Sequence, residues 1–293
     1  MEIQIQALKK NYGQKTALDN ISLTIENGMF GLLGRNGAGK TTLMQILSTL
    51  REPTSGKVTF NEIPLEDTRK IRPLIGYLPQ EFSLYPDMSV LEIMRYLAAL
   101  SNLSVEVQRQ RIPDLLHRVN LWEDRGKKVR KLSGGMKRRL GIAQALLHDP
   151  QVLIADEPTV GLDPQERLRF YALLNEFSSN RIVIVSSHIV NDIETVCEKV
   201  AVLDAGKLLF TGTVEDLAQT AAGKVYELTV PKSRQASIQN EYCVLSSQGH
   251  LADVKIRVLH DSEPTVGDPV TCEASVEDGY MEMLRQLEQG VKK

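Results

Sequence analysis

Nine residues, GRNGAGKTT at positions 34–42, limit the folds open to this chain more than any other segment. They include three glycines and one lysine and fit the pattern Gly-x-x-x-x-Gly-Lys-Thr, which begins at Gly34. Glycine lets a backbone bend so that several N–H groups face one anion, and a following helix points its N-terminus at the same anion. The segment therefore predicts a phosphate-binding loop.

The residues on either side have the pattern that such a loop requires, a strand before it and a helix after it. Met29–Leu33 is a short apolar run. Apolar residues then recur with the spacing of a helix, at Leu43, Ile46, Leu47 and Leu50. We expect Lys40 to neutralise the β- and γ-phosphates of a nucleotide and the Thr41 hydroxyl to bind Mg²⁺. A glycine-rich turn that matches by chance is the alternative.

A second segment, VLIADEP at 152–158, ends a predicted buried strand in two carboxylates, Asp156 and Glu157. Open parallel sheets bind ligands at the carboxyl ends of their strands, so both side chains are expected near the nucleotide. Asp156 is predicted to hold Mg²⁺ through water, and Glu157 to polarise the water that attacks the terminal phosphate. The alternative is two exposed acids in a turn before Pro158.

The segment LSGGMKRRL at 132–140 predicts a second phosphate site at the start of a helix. Ser133 is a suitable N-cap, and Gly134 and Gly135 leave the helix N-terminus bare for an anion. Plain helix capping is the alternative, although it rarely needs two adjacent glycines. One nucleotide needs one phosphate loop, so the second site is expected to serve a nucleotide held by another molecule.

Composition excludes several classes of protein. The chain has 293 residues, of which 42% are apolar and 25% charged, enough for one large or two modest globular domains. A net charge of −2 gives no general nucleic-acid signal, and the three cysteines lack metal-site or disulfide spacing. The spacing of the cysteines fits a reducing cytoplasm, and the segment MEIQIQALKK alternates like a strand, so we expect no signal peptide. No apolar stretch approaches the roughly 18 residues of a membrane span.

The periodicity predicts strands in residues 1–60 and helices in residues 87–147. Two apolar strand segments, Val152–Asp156 and Ile182–His188, then enclose a helical stretch. The order strand, helix, strand predicts a parallel sheet.

A composition break near Gly223 separates a tail. Within it, residues 225–230 and 252–259 alternate as strands do, and residues 275–289 predict a helix capped by Ser275. The residues expected to face inward on that helix are Tyr280, Met283, Leu284 and Leu287.

Taken in order, the segments GRNGAGKTT, YLPQ, LSGGM, VLIADEPTVGLD and SSH resemble the nucleotide-binding subunit of an ATP-binding cassette (ABC) transporter. The resemblance covers about residues 1–220. It implies an α/β fold, a P-loop NTPase of the ABC type, with a mainly parallel core sheet, an antiparallel β subdomain and a helical subdomain at about 87–147. A small α+β domain is expected at 224–293.

The resemblance also implies ATP and Mg²⁺ as cofactors and a head-to-tail dimer, either a homodimer or a heterodimer with a similar cassette. Each ATP would lie between the phosphate loop of one subunit and the Ser133–Gly135 helix end of the other. The predicted nucleotide contacts are Tyr12, Gly34, Asn36, Gly37, Ala38, Gly39, Lys40, Thr41, Thr42, Ser133, Gly134, Gly135 and Asp163.

Four of the predicted site residues take their roles from the resemblance alone. Tyr12 resembles the aromatic residue that stacks on adenine, and otherwise would be a core tyrosine. Gln80 resembles the glutamine that senses the γ-phosphate. Asp163 resembles the residue that reports across the dimer, and His188 resembles the switch histidine at the γ-phosphate. The predicted catalytic residues are Lys40, Gln80, Glu157 and His188, and the predicted metal ligands are Thr41, Gln80 and Asp156.

The expected function is ATP hydrolysis that drives separate integral membrane subunits from the cytoplasmic face of the cell membrane, where the chain is peripheral. The tail segment ASVEDGYMEML resembles bacterial exporters of drugs, antibiotics and polymers, which favours export. Residues Leu84–Met94, just after Gln80, are the candidate docking surface for the membrane subunits.

A soluble cassette ATPase that acts on a nucleic-acid or ribosome-associated partner is the alternative. The run between Gly126 and Arg139 holds seven basic residues that could contact nucleic acid. We interpret the run as a solvated helical face near phosphate charge, because the chain as a whole is acidic, and expect no nucleic acid.

Overall fold

The computed structural model describes residues 1–250 and 253–290. In these residues the strands are β1 (Glu2–Tyr12), β2 (Lys15–Glu26), β3 (Gly28–Leu33), β4 (Ser55–Phe60), β5 (Ile63–Pro64), β6 (Ile75–Leu78), β7 (Val152–Ala155), β8 (Ile182–Ser187), β9 (Lys199–Asp204), β10 (Lys207–Thr213), β11 (Val225–Pro231), β12 (Cys243–His250), β13 (Asp253–Leu259) and β14 (Val270–Thr271).

The helices alternate with the strands of the central part of the chain. They are α1 (Lys40–Leu47), α2 (Thr68–Ile71), α3 (Val90–Leu100), α4 (Val105–Arg118), α5 (Gly134–Ala145), α6 (Pro164–Ser178), α7 (Val190–Val196), α8 (Val214–Gln219), α9 (Gln235–Glu241) and α10 (Val276–Gly290). In the part of the chain that the structure describes, no helix combines the length and apolar character needed to cross a bilayer.

The central sheet has the order β10-β9-β3-β8-β7-β6, and every neighbouring pair from β9 to β6 is parallel. Strands β7 and β8 are buried along their whole length and apolar except for the two serines that end β8, as is typical of strands covered on both faces. Leu33 pairs with Ser187, and Ala155 pairs with Val185. The carboxyl ends of β3, β7 and β8 therefore meet at one edge, and the predicted parallel core sheet is confirmed.

An antiparallel sheet of order β2-β1-β4-β5 lies beside the central sheet, and its inward residues share a core with the phosphate-loop helix α1. Helices α3, α4 and α5 form a helical region between β6 and β7. At the start of α3 the Ser89 hydroxyl accepts the Glu92 N–H, and the Glu92 carboxylate accepts the Ser89 N–H. The predicted antiparallel sheet and the predicted helical region are therefore both observed.

The sequence prediction is wrong at Leu50. The spacing predicts this residue on the helix after the phosphate loop, but α1 ends at Leu47 and Leu50 is 61% exposed. Thr49 has φ of 61°, a left-handed conformation that turns the chain out of the helix before Leu50 is reached.

The tail has a sheet of its own, antiparallel and ordered β12-β13-β11-β14. Its inward residues, among them Leu228, Ile256 and Val258, form a separate small core. The predicted strand at 252–259 is observed from Asp253 onward, and Ala252 lies outside the described residues. Ser275 and Asp278 cap the final helix α10 reciprocally, as the sequence predicts.

Helix α10 packs on the cassette as well as on the tail sheet. Tyr280 and Leu284 are buried in the same cluster as Ile193 of α7 and Leu217 of α8, while Met283 and Leu287 are partly buried against it. At Gly279 the two backbones approach so closely that an added Cβ would overlap the Leu217 carbonyl. A glycine is therefore required where α10 crosses α8.

We predict that Gly279→Ala lowers the free energy of unfolding by about 1–3 kcal/mol, the usual cost of overpacking a tight contact. Without the close contact, alanine in a helix stabilises by roughly 0.5–1 kcal/mol relative to glycine. A decrease in the free energy of unfolding would therefore indicate the contact, and an increase its absence. Gly126→Ala is the control, because a Cβ at that exposed site meets nothing within 4 Å. Thermal unfolding of both variants measures the effect, and a Gly279→Ala protein as stable as the control would contradict the close crossing.

Candidate active site

The phosphate loop lies between the buried strand β3 and helix α1, as its sequence pattern predicts. Gly37 and Gly39 have φ of 85° and 109°, which side-chain-bearing residues rarely adopt. A Cβ at Gly39 would also lie 2.7 Å from the Ala17 carbonyl oxygen, and one at Gly34 would overlap the Leu203 carbonyl. Backbone conformation and close packing therefore both require glycine here.

Lys40 begins α1, and its side chain is buried beneath the loop. Its Nζ donates to the Gly34 carbonyl at 2.6 Å and to the Arg35 carbonyl at 3.3 Å. Burial lowers the pKa of Lys40, and the nearby Glu157 and Asp156 offset part of that effect. The ammonium is thus fixed by the loop carbonyls, and Lys40 is among the residues that line the cleft where an anion would bind.

An open cleft of 710 Å³ runs along the loop. Its walls carry the phosphate-loop residues together with Tyr12, Gln80 and Glu157. Tyr12 stands at the end of β1 and is 40% exposed, with Lys10 Nζ 5.2 Å and Arg51 Cζ 5.8 Å from the centre of its ring. The cleft is large enough for a nucleotide, since ligand pockets typically measure about 300–1,000 Å³.

Both carboxylates at the end of β7 are buried, Asp156 at 0% exposure and Glu157 at 7%. The alternative of two exposed acids in a turn is therefore wrong. Ser186, at the end of the neighbouring strand β8, holds both residues: its hydroxyl donates to Asp156 Oδ1 at 2.6 Å and accepts the Glu157 N–H at 2.9 Å. Glu157 also has φ of 45°, so its backbone is held in a strained left-handed conformation.

The four predicted catalytic residues meet at the Glu157 carboxylate. Gln80 Nε2 donates to Oε2 at 3.1 Å, and His188 Nδ1 lies 3.1 Å from Oε1. Lys40 Nζ lies 3.9 Å from the same Oε1. Segments after β6, β7 and β8 and the start of α1 supply these groups, so the sheet edge brings them together.

Of the predicted metal ligands, Thr41 and Gln80 line the cleft, whereas Asp156 is fully buried and is not among the described residues that line it. Asp156 Oδ2 is buried, and the described residues offer it no hydrogen-bond partner. Such an orphaned oxygen normally indicates an absent ligand. Among residues 1–250 and 253–290 no three His, Cys, Asp or Glu side chains could share a metal ion. A magnesium ion here would depend on Asp156, the Thr41 hydroxyl, the Gln80 amide, water and phosphate, the mixture that Mg²⁺ prefers.

The second predicted phosphate site lies elsewhere. Ser133 caps α5 by accepting the Met136 N–H at 3.2 Å, and a Cβ added at Gly134 would meet nothing within 4 Å. A Cβ at Gly135 would lie 2.6 Å from Glu166 Oε2. None of the described residues that line the cleft comes from Ser133–Gly135. Asp163 is likewise absent from that lining, and its carboxylate accepts the Glu166 N–H and caps α6.

The basic run at 126–139 is only partly a solvated face. Five of its cations are exposed: Lys127, Lys128, Arg130, Lys131 and Lys137. Arg138, however, is 6% exposed and donates to backbone carbonyls beside the carboxylates, so the interpretation is wrong for it. Arg138 and Ser186 are site residues that the sequence prediction missed. Ser186 lies within the SSH segment, and Arg138 within LSGGMKRR, so both motifs carried a signal.

Comparisons with known proteins agree with this geometry. A profile described as ABC transporter matches residues 18–160. The linearmycin resistance ATP-binding protein LnrL of Bacillus subtilis (strain 168) is 34% identical over 261 residues, which cover 88% of this chain and 83% of that protein. Nod factor export ATP-binding protein I of Cupriavidus pinatubonensis (strain JMP 134 / LMG 1197) is 37% identical over 224 residues, covering 75% of this chain and 69% of that protein.

Solved structures give the same result. A dimeric ATP-binding cassette in a post-hydrolysis state, bound to ADP and Pi, is 28% identical to this chain with a TM-score of 0.66. The match covers 72% of this chain and 98% of that one.

Proposed function

The chain belongs to the ABC transporter family and hydrolyses ATP, and from that premise we propose that it is the motor subunit of an exporter. Two cassettes would bind MgATP between them, and their closing and opening would drive separate membrane subunits. The second cassette would be another copy of this chain or a similar one.

The observation that carries the proposal is the separation of two phosphate-binding helix ends within one chain. The start of α1 faces the cleft, whereas Ser133–Gly135 does not line it. A helix N-terminus with bare N–H groups is an anion site, so the second end needs a nucleotide from elsewhere. A dimer in which each site is completed by the partner satisfies both ends, and a solved relative is described as dimeric.

Within one site we assign roles by contact. The phosphate loop, Gly34–Thr42, and Lys40 would hold the β- and γ-phosphates, and Tyr12 would stack on the base. Thr41, Gln80 and Asp156 would hold Mg²⁺, which supplies positive charge to the phosphate oxygens when bound. Asp163, next to the exposed turn at Gly161, would report nucleotide binding across the dimer.

Glu157 is proposed as the general base. Its carboxylate is buried, reaches the cleft and is oriented by Gln80 and His188. A base fixed by two neighbours can hold an attacking water in line with a phosphate, because orientation is already determined before the reaction. His188 would also contact the γ-phosphate.

The export direction rests on the relatives. One is named for linearmycin resistance and another for Nod factor export, and both align over most of this chain. We propose that this chain likewise serves export, as a peripheral subunit at the cytoplasmic face of the membrane.

Docking to the membrane subunits is proposed at Leu84–Met94. Tyr85 in this segment is 55% exposed, and its ring packs edge-on against the exposed Tyr96 of α3. A groove of 140 Å³ lies beneath, lined by apolar side chains that include Phe82 and Leu97. Gln80 lies two residues before Phe82, so a partner bound in the groove would shift Gln80 and thereby change its contacts in the nucleotide cleft.

We also propose that residues 224–293 act as a small α+β domain that stabilises or regulates the dimer. Its separate sheet and core support a unit of its own. Its last helix packs on α7, which directly follows His188, and Glu288 of that helix lies 3.7 Å from Arg35 of the phosphate loop. Residues 251–252 and 291–293 of this tail lie outside the described residues.

We predict that Glu157→Gln lowers the rate of ATP hydrolysis by about 10²–10⁴-fold, the range of general-base contributions, while ATP binding is retained. The amide keeps the size of the side chain and removes its basic oxygen. Glu176→Gln is the control, because that carboxylate is exposed at the end of α6. Hydrolysis by the pure Glu157→Gln protein at the rate of the control would exclude the base role.

The shared site is tested with mixed dimers isolated through two affinity tags. Lys40→Ala disables the phosphate loop of the subunit that carries it. Ser133→Arg blocks the helix end that its subunit contributes to the partner's nucleotide site. With the lesions on different subunits, a shared arrangement leaves one site intact and should give about half of wild-type hydrolysis if the sites are independent. With both lesions on one subunit and a wild-type partner, both shared sites are damaged and hydrolysis should be near zero. If each site is instead built within one chain, hydrolysis should be near zero with the lesions on different subunits and about half of wild type with both lesions on one subunit.

The membrane partner is tested by purification from detergent-solubilised membranes of the source cells. A tagged chain should retain an integral membrane protein, and Tyr85→Arg should release it while ATP binding is unchanged. Val270→Arg, at another exposed apolar site, should retain it. Recovery of ribosomes or nucleic acid in place of a membrane protein would instead support the soluble alternative.

A further inference from the structure

Arg138 lies in the second turn of α5 and makes an unusual set of contacts for a buried cation. All five of its N–H groups donate to backbone carbonyls. Nε reaches Pro158 at 3.0 Å, Nη1 reaches Pro79 at 2.7 Å and Gln80 at 2.9 Å, and Nη2 reaches Asp156 at 2.8 Å and Glu157 at 2.7 Å. One guanidinium therefore joins three segments of the chain.

Two of these segments follow the ends of neighbouring parallel strands. Pro79 and Gln80 follow β6, and Asp156–Pro158 follow β7. Beyond a strand end the backbone carbonyls lose their sheet partners, and buried carbonyls need a donor. The rigid, planar fork of arginine can satisfy several carbonyls in one plane, which a lysine ammonium cannot.

Keeping the buried Arg138 side chain charged costs free energy. Burial lowers the pKa of Arg138 to about 10, and Asp156 and Glu157 offset part of that effect, so the group is cationic at neutral pH. Within the described ranges no carboxylate oxygen lies within 4.0 Å of it. A buried cation without a direct ion pair is expensive, and here the carbonyl bonds compensate.

The neighbouring residue Arg139 makes its contacts elsewhere, so the contacts of Arg138 are not shared by every arginine of α5. Arg139 Nη1 donates to the Val119 and Asn120 carbonyls at 3.1 and 2.8 Å, and Nη2 lies 3.3 Å from Glu166. These contacts hold α5 to α4 and α6 and touch none of the predicted catalytic residues.

We propose that Arg138 is a positioning residue that ties Gln80 and Glu157 to the helix whose start, Ser133–Gly135, grips the partner's nucleotide. The coupling between subunits rests on the proposed shared site, whereas the positioning of Gln80 and Glu157 does not. Ser133 and Arg138 stand about 7–8 Å apart along one helix, at 1.5 Å per residue. A helix this short moves as a rigid body, so a shift of its N-terminus displaces the guanidinium and the carbonyls bound to it.

The first test compares Arg138→Lys with Arg139→Lys. Both keep the positive charge and remove the planar fork. We expect Arg138→Lys to lower kcat for ATP at least about tenfold with the Kd for ATP unchanged within about twofold, because the phosphate loop and Tyr12 are untouched. Arg139→Lys should leave kcat within about twofold of wild type.

Thermal unfolding is measured for both variants, because a purely structural role would lower stability without a selective loss of kcat. If Arg138→Lys is not folded, Arg138→Gln is measured in the same way. A folded Arg138 variant with kcat within twofold of wild type, or with equal losses in kcat and ATP affinity, would overturn the proposal.

The second test places Arg138→Lys in the mixed dimer that has Lys40→Ala on one subunit and Ser133→Arg on the other. The intact site there uses the Gln80 and Glu157 of the Ser133→Arg subunit. Arg138→Lys on that subunit should lower the remaining hydrolysis about tenfold, and on the Lys40→Ala subunit it should have a smaller effect. A larger loss of hydrolysis from Arg138→Lys on the Lys40→Ala subunit would overturn the proposed positioning of Gln80 and Glu157. If the parent mixed dimer is itself inactive, the shared site fails, and the comparison of kcat with Kd in pure dimers still decides the role of Arg138.

Discussion

Two carboxylates buried side by side at the end of β7 are the constraint on which the surrounding structure depends. An isolated buried charge costs several kcal/mol, so each oxygen and each neighbouring backbone group needs a partner. Ser186 bridges the two residues from β8, Gln80 and His188 approach Glu157, and Arg138 binds the carbonyls of both. The segments that follow three parallel strands meet at this edge of the sheet and together supply the partners of the pair.

One carboxylate oxygen is left over. Asp156 Oδ2 has no hydrogen-bond partner among the described residues, although its neighbours are well paired. Burying a polar atom without a partner costs about 1–3 kcal/mol, which a bound cation would remove. The protein thus holds a strained and incompletely satisfied edge, as sites that bind ligands commonly do.

The proposed dimer depends on the start of α5, the second helix end for which phosphate binding is proposed. In one chain the start of α5 is capped by Ser133 and left open at Gly134, away from the cleft. Arg138 connects this open end to the loops that hold Gln80 and Glu157. Under the proposed sharing, each subunit would therefore sense the nucleotide of its partner through the same helix that positions its own catalytic groups.

The sequence by itself determined the phosphate loop, the strand that ends in two carboxylates, the capped helices and the class of fold. These features are set by residues a few positions apart, where glycine conformation, helix capping and side-chain periodicity act. Only the tertiary structure decided that Arg138 is buried, because the carbonyls that bind it lie 18 to 59 residues away. It likewise decided the role of Ser186 and the crossing at Gly279. In each case the deciding partner is brought by the packing of distant segments, and no local pattern records which backbone carbonyl will be left without a donor.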